Sequence, residues 1–421
     1  KGSFLLDASR CVPCQEGLEC PGGNDPPLQK AGFWADVLDS NRNIISVYKC
    51  RDDEQCPRAA VGSCAAGRTG RSCNNCKPFH YPSSGGKCLA CSGQNAMVFA
   101  GFGVVLLIFI VMFALSLRIN AVKQPLSSIS AGLIGGQLIF ALQVLGAINQ
   151  LRVKFVDPLR SIMNTMSFFS LDLEILQLPC FFYEDSPITQ YALKLAAYPI
   201  FVATLVLVWT VSRLRGKPIA FSNLLNINDV ILCVLFISVT LVVFLPFQCR
   251  ANPNGKLTMS ANPGLVCFDS SEHIVMAVLA ICGILCYPCA IFVWISWTTF
   301  QYASQSGSGE GMVWLRNYRF MFARFRPEAY YFGVVYLARG GLVAMISVLL
   351  VRAPAFQTMA MGIVLALGFG LQCRFMPWRT VQANTSDLFI GFFLVLTIIG
   401  VGTVLDITIQ EASSVMTVLL T

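Results

Sequence analysis

The residues with the most chemistry in them lie near the amino end. "GRTGRSCNNCKPFHYPSSGGKCLAC" (67–91) holds Cys73, Cys76, Cys88 and Cys91 as two CxxC pairs, eleven residues apart. Four thiolates at that spacing could hold a tetrahedral zinc ion. Against zinc, the upstream Cys11, Cys14, Cys20, Cys50, Cys56 and Cys64 form no matching second ribbon. Pro78, Pro82, Gly85 and Gly86 also favour irregular loops over a ribbon's hairpins. Ten cysteines in the first 91 residues is an even number in a Pro- and Gly-rich stretch with few apolar runs. Such a stretch cannot build a sufficient core and needs covalent staples, which form outside the cell. The ten are therefore expected in disulfides, and no metal site is expected.

Other chemistry is sparse. The chain has two histidines, His80 and His273, and no nucleophile–base pair, so neither an enzyme nor a cofactor is expected. "SQSGSGEG" (304–311) has glycines but no preceding strand and no phosphate lysine, and reads as a linker. Arg339 is more telling. It sits mid-way along "YYFGVVYLARGGLVAMISVLL", where a charge costs about 2.5–3.5 kcal/mol in a bilayer. It should face a bundle interior, either as a structural lock or as the lining of a polar path. Asp387, Asp229, Asp172 and Glu174 are the acids that could meet it. Gly340 and Gly341 would let a neighbouring helix approach closely. Lys194 lies near the start of another apolar helix, where it could snorkel outward or pair with Asp172 or Glu174. In 312–326, "MVWLRNYRFMFARFR", Trp314, Leu315, Tyr318, Met321, Phe322 and Phe325 share one helical face, with Arg316, Arg319, Arg324 and Arg326 around it. That pattern predicts a basic amphipathic helix lying on the anionic lipid of the cytoplasmic leaflet.

The elements that position these residues are membrane spans. Of 421 residues 55% are hydrophobic and 12% charged, with a mean hydropathy of +0.64, values that fit long bilayer-crossing segments. Eight spans are expected at 96–117, 127–149, 190–212, 228–248, 273–298, 330–352, 354–373 and 387–408, and "ASSVMTVLLT" could begin a ninth. The fold class is thus an all-α polytopic bundle (94–421) behind a small disulfide-rich domain (1–93). Segment 158–180 carries Asp172 and Glu174 and is too broken to cross, so it reads as interfacial or re-entrant. With the amino-terminal domain outside, the inside loops carry eleven basic residues and the outside loops five, which obeys the positive-inside rule. The net charge of +8 then reports orientation and not nucleic acid. Cys249 and Cys267 flank an outer loop and should pair. Cys233, Cys282, Cys286, Cys289 and Cys373 read as buried thiols. Pro199 and Pro288 should kink their helices. Asn384-Thr385-Ser386 is an N-glycosylation sequon on the inner side of this topology, and a glycan there would overturn it. The chain begins at Lys1 without Met or a secretory signal and reads as processed or partial, so export is argued from these features instead.

Residues 64–91 resemble a laminin-type EGF-like repeat, and "CVPCQEGLECPGG" (11–23) is similar to the cysteine-rich repeats of ephrin and tumour-necrosis-factor receptors. In the membrane half, "LPC", the "YP" of "LCYPCA", "RNYRFMFARFRPEAYYFGVVYLARGGL" and "FMPWRTVQANTSDLF" occur in an order that resembles transient-receptor-potential-like proteins of fungi and protists, related to flavin carriers and polycystin-like channels. The cysteine-rich domain departs from fungal members, which carry a lipid-binding-like β-domain there. The resemblance implies a plasma- or organelle-membrane protein with calcium-permeable or carrier activity, and the leading expectation is a cation channel or its regulator. The alternative is a non-conducting receptor or anchor for an extracellular assembly. Anionic lipid, an extracellular protein and a second copy of the chain are the partners this reading admits.

Overall fold

The computed structural model describes residues 3–7, 10–22, 25–39, 44–82, 87–91, 100–101, 104, 126–151, 180, 186–216, 219–307 and 311–404. Most of the expected span 96–117, all of segment 158–180 but Cys180, residues 405–408 of the last span, the candidate ninth span, Asp172 and Glu174, and the side chain of Cys11 lie outside the described residues. The chain divides into two compact units. The first comprises Lys1–Leu106, Leu173–Lys194 and Leu245–Leu279, and the second Leu107–Asp172, Leu195–Phe244 and Ala280–Thr421.

Short antiparallel strands and sulfur bridges build the first unit. The strands are β1 (Ser3–Asp7), β2 (Arg10–Pro13), β3 (Leu18–Glu19), β4 (Leu28–Gln29), β5 (Phe33–Asp39), β6 (Ile44–Lys49), β7 (Ala59–Ala60), β8 (Arg68–Thr69), β9 (Asn75–Cys76), β10 (His80–Pro82), β11 (Cys88–Ala90), β12 (Cys249–Ala251) and β13 (Leu257–Met259). Only the β5–β6 hairpin is long enough to carry a core of its own: it buries Ala35 and Val47 against Leu18 and Cys20. Gly17, at φ +91, lies under Phe33, where a Cβ would overlap the ring. Disulfides join Cys14 to Cys20, Cys50 to Cys56, Cys64 to Cys73, Cys76 to Cys88, Cys91 to Cys180 and Cys249 to Cys267. Loop closure of this kind offsets the small core. The four CxxC sulfurs go to three different bridges, so they do not gather round a metal. Cys180, which sequence reasoning passed over, is the partner of Cys91. The exposed Arg58 guanidinium, 2.6 Å from Glu19, holds that carboxyl below its ordinary range.

The loop between Cys249 and Cys267 belongs to this unit, so the compact body is not residues 1–93 alone. The reason is a row of hydrogen bonds to β6 and to residues 71–74. Lys49 N donates to Asn252 Oδ1 (2.9 Å), Arg250 Nη2 to Lys49 O (2.5 Å) and Asn254 Nδ2 to Ser46 Oγ (2.8 Å). Further along, Asn74 Nδ2 donates to Asn262 Oδ1 (2.8 Å) and Arg71 Nη1 to Gly264 O (3.3 Å).

The second unit is helical. Among the described residues, six helices are long and apolar enough to cross a membrane: Ser130–Asn149, Pro187–Leu214, Ser271–Ser306, Phe332–Leu349, Pro354–Phe375 and Val381–Thr403. In chain order we label the helices α1 (Leu126–Asn149), α2 (Pro187–Leu214), α3 (Phe221–Val234), α4 (Phe236–Phe244), α5 (Ser271–Ile284), α6 (Ala290–Ser306), α7 (Gly311–Asn317), α8 (Arg319–Ala323), α9 (Phe332–Leu349), α10 (Pro354–Phe375) and α11 (Val381–Val404). Residues of α2 and α5 fall in both units. Three expectations change. The span foreseen at 228–248 is two helices meeting at 60°, and the backbone carbonyl of Val234 at the break accepts from Gln143 Nε2 (2.8 Å). Pro288 does not simply kink its helix: it sits in a π-helical turn, Leu285–Cys289, which absorbs the residue that cannot donate. Cys282, Cys286, Cys289 and Cys373 are exposed, and among the described residues only Cys233 is a buried free thiol. Outward-facing cysteines on apolar helices would meet lipid, which is as apolar as a core.

Within this unit α9 packs against α1, α4, α6 and α10, and α11 packs against α1 and α10. Its buried residues Phe332, Tyr336, Gly340, Val343 and Ser347 recur at helical spacing. Glycines set the closest approaches. A Cβ on Gly340 would come within 3.1 Å of Ile237, and one on Gly391 within 3.0 Å of Phe369.

Candidate functional site

The site grows out of the turn between α10 and α11, within "FMPWRTVQANTSDLF". Met376 ends α10 in a left-handed conformation (φ 43), and Pro377 follows, so the helix cannot continue. Thr380 caps α11, its Oγ1 accepting from Ala383 N at 3.3 Å. Asn384 ties the turn closed: its Oδ1 accepts from Trp378 N (3.1 Å) and its Nδ2 donates to Trp378 O (2.8 Å). One turn on, Asp387, 2% exposed, accepts from Trp378 Nε1 at 2.8 Å. The sequon asparagine is therefore committed to backbone bonds inside the fold.

Arg339 reaches this place from α9. Its guanidinium carbon stands 4.6 Å from the Phe140 ring centre and 4.8 Å from that of Tyr336. Its aliphatic stem crosses α10 where Gly368 has no side chain, and a Cβ there would overlap Arg339 Cδ. Arg339 lies in electrostatic range of Asp387, and the Tyr336 ring faces that of Trp378 at 5.7 Å. A half-buried cation joins a buried acid and buried rings in one cluster. Aromatic faces attract a desolvated guanidinium, by about 2 kcal/mol or more per contact.

A second arginine closes the other side. Residues 324–326 pair with 377–379: Arg326 N donates to Pro377 O (2.8 Å), Arg379 N donates to Arg324 O (3.0 Å), and the Phe325 and Trp378 rings lie 4.9 Å apart. Arg324 is buried, 4.9 Å over Phe320 and 4.8 Å over Phe325, with Asp229 of α3 as the acid in its field. Asn226 of α3 accepts from Phe320 N (2.8 Å) and donates to Arg316 O (3.1 Å).

This corrects the expectation for 312–326. It is not one helix but two short ones, α7 and α8, with apolar residues packed into the bundle. Met321 and Phe322 join Cys233, Phe236, Ile291, Ile295 and Leu337 in one cluster, with Trp314, Leu315 and Tyr318 against it. Arg324 faces protein and not lipid. Arg316 and Arg326 are exposed and Arg319 half-buried. Periodicity shows that a face is apolar, not what covers it. Burial raises the Tyr318 phenol above its ordinary pKa.

Lys194 is half-buried on α2. Among the described residues, Cys249, Cys267 and His273 bring ligand atoms within 4.8 Å of one another. The two sulfurs are bonded to each other, and both His273 nitrogens are used: Nδ1 accepts from Phe268 N (3.1 Å), and Nε2 donates to Pro246 O (2.9 Å). No ligand set is left over there.

Comparison with known proteins matches no family model, no curated protein and no solved structure.

Proposed function

We propose that the chain is a transient-receptor-potential-like membrane protein, a cation channel or channel regulator, whose cysteine-rich domain lies outside the plasma membrane. One observation carries the reading: polar side chains stand inside apolar helices, where they are costly. Gln137, Gln143, Gln357, Gln372 and Asp387 are each no more than 9% exposed, and Arg339 stands among them. Groups of this kind mark polar paths through membrane proteins.

Parity supports the span arrangement of this reading. A disulfide joins Cys91 to Cys180, and the 249–267 loop bonds to β6, so all three places share one side of a membrane. An even number of crossings must then separate them. Since α2 crosses between Cys180 and Cys249, the bent pair α3–α4 must cross as well. If the apolar segment 96–117 is counted as a span from its sequence, this reading has eight. The 324–326 and 377–379 segments fall together on the opposite side, as their pairing requires.

The second reading is a non-conducting receptor or anchor. The ring cage that holds Arg339 over Gly368 favours it, because a cation so packed is a lock. Current recording from the purified full chain in lipid bilayers separates the two. Cation current under stretch or a calcium gradient supports the channel. Silence under both, with the protein verified as inserted, supports the anchor.

A further inference from the structure

The helices α1, α9, α10 and α11 bring polar side chains to one buried place, and several of their atoms meet no protein partner. Gln372 is 2% exposed, yet neither its Oε1 nor its Nε2 has one. Gln137 is 1% exposed; its Nε2 donates to Ala383 O (2.9 Å), which fixes the amide and leaves Oε1 unpartnered. Arg339 Nε is likewise buried and unpartnered. Helical register places these groups together. Gln372 lies one turn beyond Gly368, the glycine that Arg339 crosses. Gln137 lies one turn before Phe140, whose ring Arg339 faces, and Asp387 lies one turn beyond Ala383.

A buried polar group without a partner keeps its full desolvation penalty, so several at one junction call for a ligand. That ligand must be small, because the bundle around it is packed. It must also donate and accept, because Arg339 Nε and Gln372 Nε2 offer protons while Gln137 Oε1 and Gln372 Oε1 offer lone pairs. An alkali cation would face the Arg339 charge and could not serve the donors. An anion could not serve the amide oxygens. Water does both, and sites with two to four polar partners hold it.

We propose that the junction of Gln137, Arg339, Gln372 and Asp387 is a binding site for ordered water that bridges the arginine to the two amides. The site stands whether or not the chain conducts, and bilayer currents do not bear on it. Two measurements on the full chain in lipid nanodiscs test it. In X-ray hydroxyl-radical footprinting, bound water generates the oxidant in place. Tyr336 and Trp378 should be oxidised several-fold faster than Tyr191, another buried aromatic. Equal rates would overturn the proposal. In thermal unfolding, Gln372→Met should lower Tm, because bridged hydrogen bonds are lost. An unchanged or higher Tm means that a truly orphaned amide was removed, and sinks the idea. If that variant does not fold, the footprint of the unaltered chain decides. Dependence of either readout on the alkali chloride present would assign the place to an ion and overturn the water assignment.

Discussion

Gly368 and Trp378 decide whether Arg339 can lie where it does. Gly368→Ala puts a methyl into the Arg339 stem, and overpacking of this kind costs about 1–3 kcal/mol. The expected outcome is a lower Tm in detergent, and Arg339→Met in the same background should recover part of the loss by removing what the methyl strikes. Trp378→Phe keeps the ring that faces Phe325 and Tyr336 but leaves Asp387 without its indole donor. A buried hydrogen bond to a carboxylate is worth about 1.5–3 kcal/mol, so this variant should unfold earlier. Recovery by adding Asp387→Asn would show that the uncompensated acid is the cause. Arg339 and Asp387 were legible one by one as charges out of place in apolar runs. Their common neighbours were not, because Phe140, Gly368 and Trp378 look like ordinary span and turn residues until the helices are packed.

At the level of elements, the short connecting pieces carry more than their lengths imply. The 249–267 loop is held by side chains at Ser46, Arg71 and Asn74 and by both backbone groups of Lys49. Asn252 contributes most: it accepts from Lys49 N and donates to Thr258 Oγ1 (2.9 Å). Asn252→Ala should let the loop leave β6, and limited proteolysis of intact protein should cut near 253–256 faster than in the unaltered chain. The helices themselves were visible in hydropathy, since a run of about twenty apolar residues has few alternatives. The bend at Leu235 and the fate of 312–326 were not. Hydropathy has no angular content, and an amphipathic face facing lipid has the same pattern as one facing Phe236 and Leu337.

At the scale of the whole molecule, two chemical readouts bear on orientation. Non-reducing peptide mapping should recover the Cys91 and Cys180 peptides as one linked species; finding both alkylated without reduction would remove the parity argument. Expression in glycosylating cells should leave Asn384 bare, since its amide is bonded to Trp378 and Thr380 and the proposed topology puts it inside. A glycan there would reverse the topology. Composition was enough to foresee a bundle and a stapled domain. The boundary between them was not foreseeable, because it is drawn by a pairing 89 residues apart and by a loop that returns to β6.

That long-range pairing also sets an order of events during synthesis. Cys91 leaves the ribosome well before its partner exists, and at ordinary elongation rates the wait is on the order of ten seconds. During that interval its sulfur stands open to glutathione, to a neighbouring nascent chain or to an incorrect mate. On the proposed topology, maturation of the amino-terminal module waits for the chain to reach residue 180, and a fragment truncated just before that residue should carry a mixed disulfide or a mispaired bridge at Cys91.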